Sequence, residues 1–140
     1  MTLWIFDTDP ATLFGQGHPQ IVQRVSEVNP KDIAITLVTF EEQMYGRLNR
    51  IRRATSGHEI ISAYASLGKS INYLTDFELL DFDRDAEIYY REFLREKIRV
   101  GTQDLRIAAI ALSKSGILLT RNRRDFERIA GLRFEDWSVQ

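Results

Sequence analysis

The sequence predicts an α/β fold in which a central, mostly parallel sheet of four to five strands is flanked by helices on both faces. Short apolar runs alternate with longer segments of helical periodicity, the pattern of strands and crossover helices. The composition, 44% hydrophobic and 28% charged over 140 residues, is that of one globular unit able to bury a proper core. No internal repeat, linker or low-complexity segment interrupts it, so residues 1–140 are expected to form a single domain.

Leu3-Trp4-Ile5-Phe6 is a short apolar run halted by Asp7, which suggests a first buried strand. Asp9-Pro10 reads as a helix start, with Asp9 as N-cap and Pro10 at the first helical position. A polar helix is expected from Pro19 to Val28 and a second strand at Ile33-Ala34-Ile35. Thr39 is placed to open a helix that runs through an Arg-rich stretch to about Arg53. A further helix is expected from Gly57 to Leu74, its apolar Ile60, Ile61, Tyr64 and Leu67 assigned mainly to the core. Leu79-Leu80-Asp81-Phe82 suggests a third strand, and Asp83 a cap for a helix to about Lys97. Thr102 is placed to cap an Ala-, Ile- and Leu-rich helix ending at Ser113. Ile117-Leu118-Leu119 follows the Gly116 turn as a fourth strand, and Arg133-Phe134 adds an edge strand.

Bulk charge narrows the chemistry. A formal net charge of −1 is not that of a nucleic-acid-coating protein, so any contact with nucleic acid must come from local clusters of Arg and Lys. The absence of cysteine removes disulfides, thiolate metal sites and cysteine nucleophiles. The start MTLWIFDTDP does not read as a signal peptide, and no run approaches the roughly 20 apolar residues of a membrane span. A cytoplasmic protein without membrane contact is expected.

Four acidic residues fall where the strands end. Asp7 closes the first strand, Glu42 follows the second, Asp104 opens the Ala-rich helix and Asp125 follows the fourth strand. In open α/β sheets, ligands bind beyond the carboxyl ends of the strands. Each acid also has a structural explanation. Thr39-Phe40-Glu41-Glu42 has the form of a capping box, Asn122-Arg123-Arg124-Asp125 is a weaker version, and Asp104 complements a helix dipole. Asp7, abutting Trp-Ile-Phe, is the one that is expensive to bury unpaired. Capping explains each acid but does not predict that they gather. Gathered carboxylates repel and raise one another's pKa unless a cation sits among them. Oxygen donors with no Cys and no paired His select hard ions such as Mg²⁺ or Mn²⁺. His18 and His58 stand far from ligand-like spacing and read as surface residues.

The motifs around these acids resemble those of PIN-domain endoribonucleases, in particular the toxins of VapBC-type bacterial toxin–antitoxin pairs. Asp7-Thr8-Asp9 after an apolar strand is similar to the family's opening motif, which more often has Asn in the third place. In Thr39-Phe40-Glu41-Glu42-Gln43-Met44-Tyr45-Gly46 the acid precedes a Gly by four positions, which selects Glu42 over Glu41. The most specific pieces are Val100-Gly101-Thr102-Gln103-Asp104-Leu105-Arg106-Ile107-Ala108-Ala109 and Leu119-Thr120-Arg121-Asn122-Arg123-Arg124-Asp125-Phe126. The tail Gly131-Leu132-Arg133-Phe134-Glu135-Asp136-Trp137 also looks like the family's ending.

The resemblance implies a PIN-like domain and a metal-dependent endoribonuclease that hydrolyses RNA phosphodiesters with metal-activated water. It makes Asp7, Glu42, Asp104 and Asp125 the catalytic and metal-ligating residues around one or two Mg²⁺ or Mn²⁺ ions. Thr8, Asp9, Thr120 and Asn122 would support them, Asn122 being also a candidate for the fourth place in the site. Arg121, Arg123, Arg124 and Arg47 would meet the RNA backbone. It further implies an inhibitory antitoxin protein, whose C-terminal segment reaches into the site, and a homodimer. Ile60, Ile61, Tyr64 and Leu67, assigned mainly to the core, are the alternative candidates for the antitoxin groove or the homodimer face. Two other α/β readings compete. A haloacid-dehalogenase-type phosphatase would use Asp7 as nucleophile, but Ala11 and the lack of a later paired-Asp motif disagree. A receiver-like module would use Asp81, but no Lys closes its last strand. A PIN fold that binds RNA or a protein without cutting is the remaining alternative.

Overall fold

The structure is a computed structural model that describes residues 2–139. Its elements follow in the order β1 (Trp4–Phe6), α1 (Thr8–Gly15), α2 (Pro19–Ser26), a 3₁₀ turn (Pro30–Asp32), β2 (Ile33–Thr36), α3 (Leu37–Arg53) and α4 (Gly57–Leu74). Then come β3 (Glu78–Leu80), α5 (Arg84–Arg95), α6 (Thr102–Ser113), β4 (Ile117–Leu119), α7 (Arg123–Phe126) and β5 (Arg133–Glu135). The five strands form one sheet in the order β3-β2-β1-β4-β5, and every pairing is parallel. No helix of the described residues is long and apolar enough to cross a membrane.

Strand periodicity divides the core. Successive residues of a strand point to opposite faces, so Ile5, Ala34 and Leu118 join one cluster and Phe6, Ile35 and Leu119 the other. The first cluster is closed by the apolar stripe of α6 (Leu105, Ile107, Ala108, Ile110, Ala111) and by Phe93 of α5. The second is closed by Ala11, Ile21 and Leu74 with the aromatic residues Phe77 and Trp137. Gly116 is needed before β4 because a Cβ there would lie 2.6 Å from the Ile5 side chain and 3.2 Å from the Leu3 carbonyl.

The cap assignments differ from expectation in three places. Asp7, not Asp9, is the N-cap of α1, and its Oδ1 accepts from the Thr8 amide. Pro10 fits at the third helical position because the first helical amides have no intrahelical acceptor to lose. The cap of α3 is Thr36, the last residue of β2, whose hydroxyl accepts from the Thr39 amide. Glu42 therefore lies beyond the first turn, and no Thr39–Glu42 capping box forms. Gly101 rather than Thr102 caps α6, without a side-chain bond. His18 is half-buried as the cap of α2, not a free surface residue.

The α4 expectation is also corrected. Ile60, Ile61 and Tyr64 are exposed, Ile61 at 72%, rather than core. The face of α4 that meets the protein carries Ala63, Ser70 and Leu74 instead.

Candidate active site

The strand order reverses beside β1. After β1 the chain builds outward through β2 and β3, then returns to place β4 on β1's other side. Such a reversal leaves a crevice beyond the carboxyl ends of the two central strands. Asp7 directly follows β1 and Thr120 directly follows β4, and the Thr120 hydroxyl donates to Asp7 Oδ2 at 2.7 Å. Asp7 is only 6% exposed. Burial is the largest influence on its carboxyl, whose pKa stands above the usual 3.8. The bonds from Thr120 and the Thr8 amide oppose that rise, while the charges of Glu42 and Asp9 add to it.

Three other elements bring acids to this crevice. Glu42, in the second turn of α3, accepts from the Thr8 hydroxyl at 2.8 Å. Its neighbour Glu41 turns aside to accept from Gln103 at the start of α6, so the two adjacent glutamates serve different contacts. Asp104 sits in the first turn of α6 on the side of buried Ile107, Ala108 and Ala111. Asp125, in α7, is linked to it through Asn122, whose Nδ2 donates to Asp125 Oδ2 at 3.0 Å and to Asp104 Oδ2 at 3.4 Å. Asn122 also caps α7 through its Oδ1, so one amide both shapes the loop and bridges two carboxylates.

The electrostatics show that the acids gather. Asp104 is pushed up to about 6, first by burial and then by the charges of Asp7, Glu42 and Asp125. A position in a first helical turn favours the carboxylate by about 0.3–1 kcal/mol. Desolvation and three like charges outweigh that here. Of the flanking arginines, Arg121 pairs its guanidinium with exposed Asp9 at 3.3 Å.

Whether a divalent cation fits rests on the donors. All are carboxylate, hydroxyl or amide oxygens, the hard set that suits Mg²⁺ or Mn²⁺. No cation is among the groups that shift Asp7 or Asp104. In the side-chain arrangement observed, no three His, Asp or Glu groups of the described residues stand close enough to hold one ion. Ligation by three therefore needs a rotamer change, for which Asp104 and Glu42, both only partly buried, have room.

The expected RNA-contacting arginines divide. Arg121 is engaged by Asp9, while Arg123 pairs with Glu127 at 3.8 Å and lies over the Phe134 ring. Arg124 is exposed in α7. Arg47 turns toward α4, where its Nε donates to Ser70. Tyr45 was not singled out by sequence. It is 73% exposed and lines a cleft with Glu41, Glu42 and Gln103. An exposed aromatic one turn beyond a candidate catalytic acid was the available signal. Asp81, which a receiver-like module would phosphorylate, lines a different cleft with Phe82 and Tyr90.

A family model described as the PIN domain matches residues 13–132. The chain belongs to the PIN-domain family. The matched segment contains Glu42, Asp104 and Asp125, with Asp7 just before it. Among curated relatives, the tRNA(fMet)-specific endonuclease VapC of Salmonella typhimurium is 27% identical over 98% of this chain and 99% of its own length. Ribonuclease VapC1 of Haemophilus influenzae is 27% identical over 97% of this chain and 98% of that protein. Among solved structures, a DNA-bound VapBC from Salmonella typhimurium superposes with a TM-score of 0.80 at 28% identity, covering 98% of this chain and 99% of that one. The likeness of this PIN-domain chain to those proteins thus spans nearly its whole length and not merely its motifs.

Proposed function

We propose that this PIN-domain protein is a divalent-metal-dependent endoribonuclease and the toxin of a toxin–antitoxin pair. The observation that carries the reading is the meeting of Asp7, Glu42, Asp104 and Asp125 beyond the carboxyl ends of β1 and β4, tied by Thr8, Thr120 and Asn122 in a chain that matches the PIN domain. Burial and the neighbouring charges push Asp104 up to about 6 there. A fold gains nothing from such repulsion, and clusters of perturbed acids mark functional sites. The endonuclease and ribonuclease names of the relatives supply the substrate class.

Asp7, Glu42 and Asp104 would hold Mg²⁺ or Mn²⁺, with Asp125 directly or through water. When bound, the ion supplies the positive charge that lowers the pKa of water and offsets charge on a phosphodiester. The chain's own residues fix the geometry. Thr120 and the Thr8 amide hold Asp7, the Thr8 hydroxyl orients Glu42, and Asn122 spaces Asp104 from Asp125. No side chain is required as nucleophile. Arg121, Arg123, Arg124 and Arg47 meet the RNA backbone, and the ring of Tyr45 offers a surface on which a base can stack.

An antitoxin partner and a homodimer belong to the same reading. The solved relative is a VapBC assembly, and the exposed apolar side chains Tyr45, Leu48, Ile61 and Tyr64 offer protein-binding surface. Induced expression in a bacterial host tests the toxin role. Growth arrest with new RNA ends, both lost in Asp104→Asn, supports it. Unimpaired growth and intact RNA at high levels of folded protein argue against it.

A further inference from the structure

Outside the carboxylate centre, Arg47 and Arg50 of α3 and Lys69 of α4 line one cavity of about 230 Å³ with Ser66, Ser70 and Tyr73. No carboxylate lines it. None of the three cations has an ion-pair partner among the described residues, although Arg24, Arg91, Arg95, Lys114, Arg121 and Arg123 each find one. In a chain of net charge −1 this is a concave, uncompensated positive site.

The polar groups of the pocket are set as donors. Arg47 Nε donates to Ser70 Oγ at 2.8 Å, and Arg50 Nη1 donates to Ser66 Oγ at 2.7 Å. Each serine spends a lone pair on a guanidinium, so its own hydroxyl proton is free for another acceptor. The Nη groups of Arg47 and the ammonium of Lys69 carry no recorded hydrogen bond among the described residues, which leaves them to an oxyanion. Gly15 allows the phenol end of Tyr73 to close the pocket against α1, since a Cβ there would lie 2.7 Å from Tyr73 Cζ.

The pocket is joined to the carboxylate centre by α1 and α3. Arg47 and Arg50 lie five and eight residues beyond Glu42, about 8 and 12 Å along the helix axis. Thr12 lines the pocket and accepts from Gln43, which also donates to the carbonyl of Thr8, the residue bonded to Glu42. Arg50 is shared with an adjoining cleft lined also by Arg53, His58 and Glu59.

We propose that the Arg47–Arg50–Lys69 pocket is a phosphate subsite that seats the backbone of single-stranded RNA a few nucleotides from the bond to be cut. It rests on the nuclease reading and assigns the substrate a path across α3 and α4.

The test is fluorescence anisotropy with a labelled, mixed-sequence single-stranded RNA and the full chain carrying Asp104→Asn, titrated over a range of KCl. Lys69→Gln and Arg50→Gln are the probes, and Lys31→Gln, at the opposite end of β2, is the charge-matched control. Lys69 makes no side-chain hydrogen bond or ion pair among the described residues, so its replacement removes charge without loosening the fold. Each probe is expected to weaken binding several-fold at low salt and to reduce the slope of log affinity against log salt by about 0.7, the value of one single-strand phosphate contact. The control should change neither. Unchanged affinity and slope in both probes overturns the subsite and assigns these cations to a protein partner. Failure of the parent to bind the RNA at low salt overturns it as well. Cleavage by the unsubstituted chain is read separately. A chain that cuts RNA but ignores both probes loses only the subsite, and one that binds through them but never cuts loses only the nuclease reading.

Discussion

The Thr8 hydroxyl donates to Glu42 Oε1 at 2.8 Å, tying the start of α1 to the second turn of α3. The same threonine's amide donates to Asp7, so one residue orients acids from two elements. Removing the hydroxyl with Thr8→Val should free Glu42 while keeping the side-chain volume. Cleavage is expected to fall about 10–100-fold, with a higher Mn²⁺ concentration needed for half-maximal rate and recovery in Thr8→Ser. Unaltered metal dependence in Thr8→Val would remove Glu42 from the centre.

Thr120 plays the corresponding part for Asp7, but in a fully buried setting. Thr120→Val leaves a buried carboxylate oxygen short of its donor and deprives the Asn122 amide of its acceptor. A loss of about 1–3 kcal/mol in unfolding free energy is expected at pH 7. Urea denaturation reads it directly, and an unchanged midpoint would contradict the role given to this bond.

Asp104 gives a pH-dependent expectation of opposite sign. A carboxyl group whose folded pKa lies above its unfolded value binds its proton more tightly in the folded state. Ionisation therefore costs stability as pH rises from 3.8 to about 6, and the full cost is present above that interval. The interval corresponds to roughly 3 kcal/mol at full strength, and solvent screening of this half-buried group leaves about 1–2 kcal/mol. In EDTA, Asp104→Asn should raise the melting temperature by about 3–6 °C at pH 7.5 and by nothing at pH 3.5. Millimolar Mg²⁺ or Mn²⁺ should stabilise the unsubstituted chain and reverse the ranking. A mutant less stable at both pH values would show that Asp104 serves the fold.

Tyr45 is so exposed that the fold needs little from it. Tyr45→Ala should leave the melting temperature within about 1 °C, because surface changes are usually within 0.5 kcal/mol. It should weaken RNA affinity about tenfold, within the range of one lost stacking contact. Anisotropy with the Asp104→Asn chain measures this, and equal affinity would exclude the stacking role.

The elements were legible wherever local signals agreed. Gly57–Leu74 and Ile117–Leu119 have the expected bounds because a serine cap opens one and glycine precedes the other. Thr36 and Thr39 stand three apart, and either could cap a helix. The end of β2 decided for Thr36, and that choice freed Glu42 from the capping box its sequence suggests. Asp9-Pro10 misled because proline is accepted throughout a first turn, not only at its first position. The outward turn of Ile60, Ile61 and Tyr64 was hidden for another reason: apolar spacing marks a face but not what covers it. The order of the four acids could be read from the chain, whereas their convergence depended on β4 returning beside β1. Of the Arg47–Lys69 pocket, the arginine run after Glu42 was legible as a backbone contact, whereas the part of Lys69 depended on α4 packing its Ser62, Ser66 and Ser70 face against the arginines of α3.

The most direct measurement is incubation of total cellular RNA with the purified chain, free of any partner, in Mg²⁺ or Mn²⁺ and in EDTA, with folded Asp104→Asn alongside. New RNA ends that require the metal and are absent with Asp104→Asn are the expected result. Cutting that persists in EDTA or in the mutant, or no cutting with either metal, would contradict a metal-dependent nuclease centre built on Asp7, Glu42, Asp104 and Asp125.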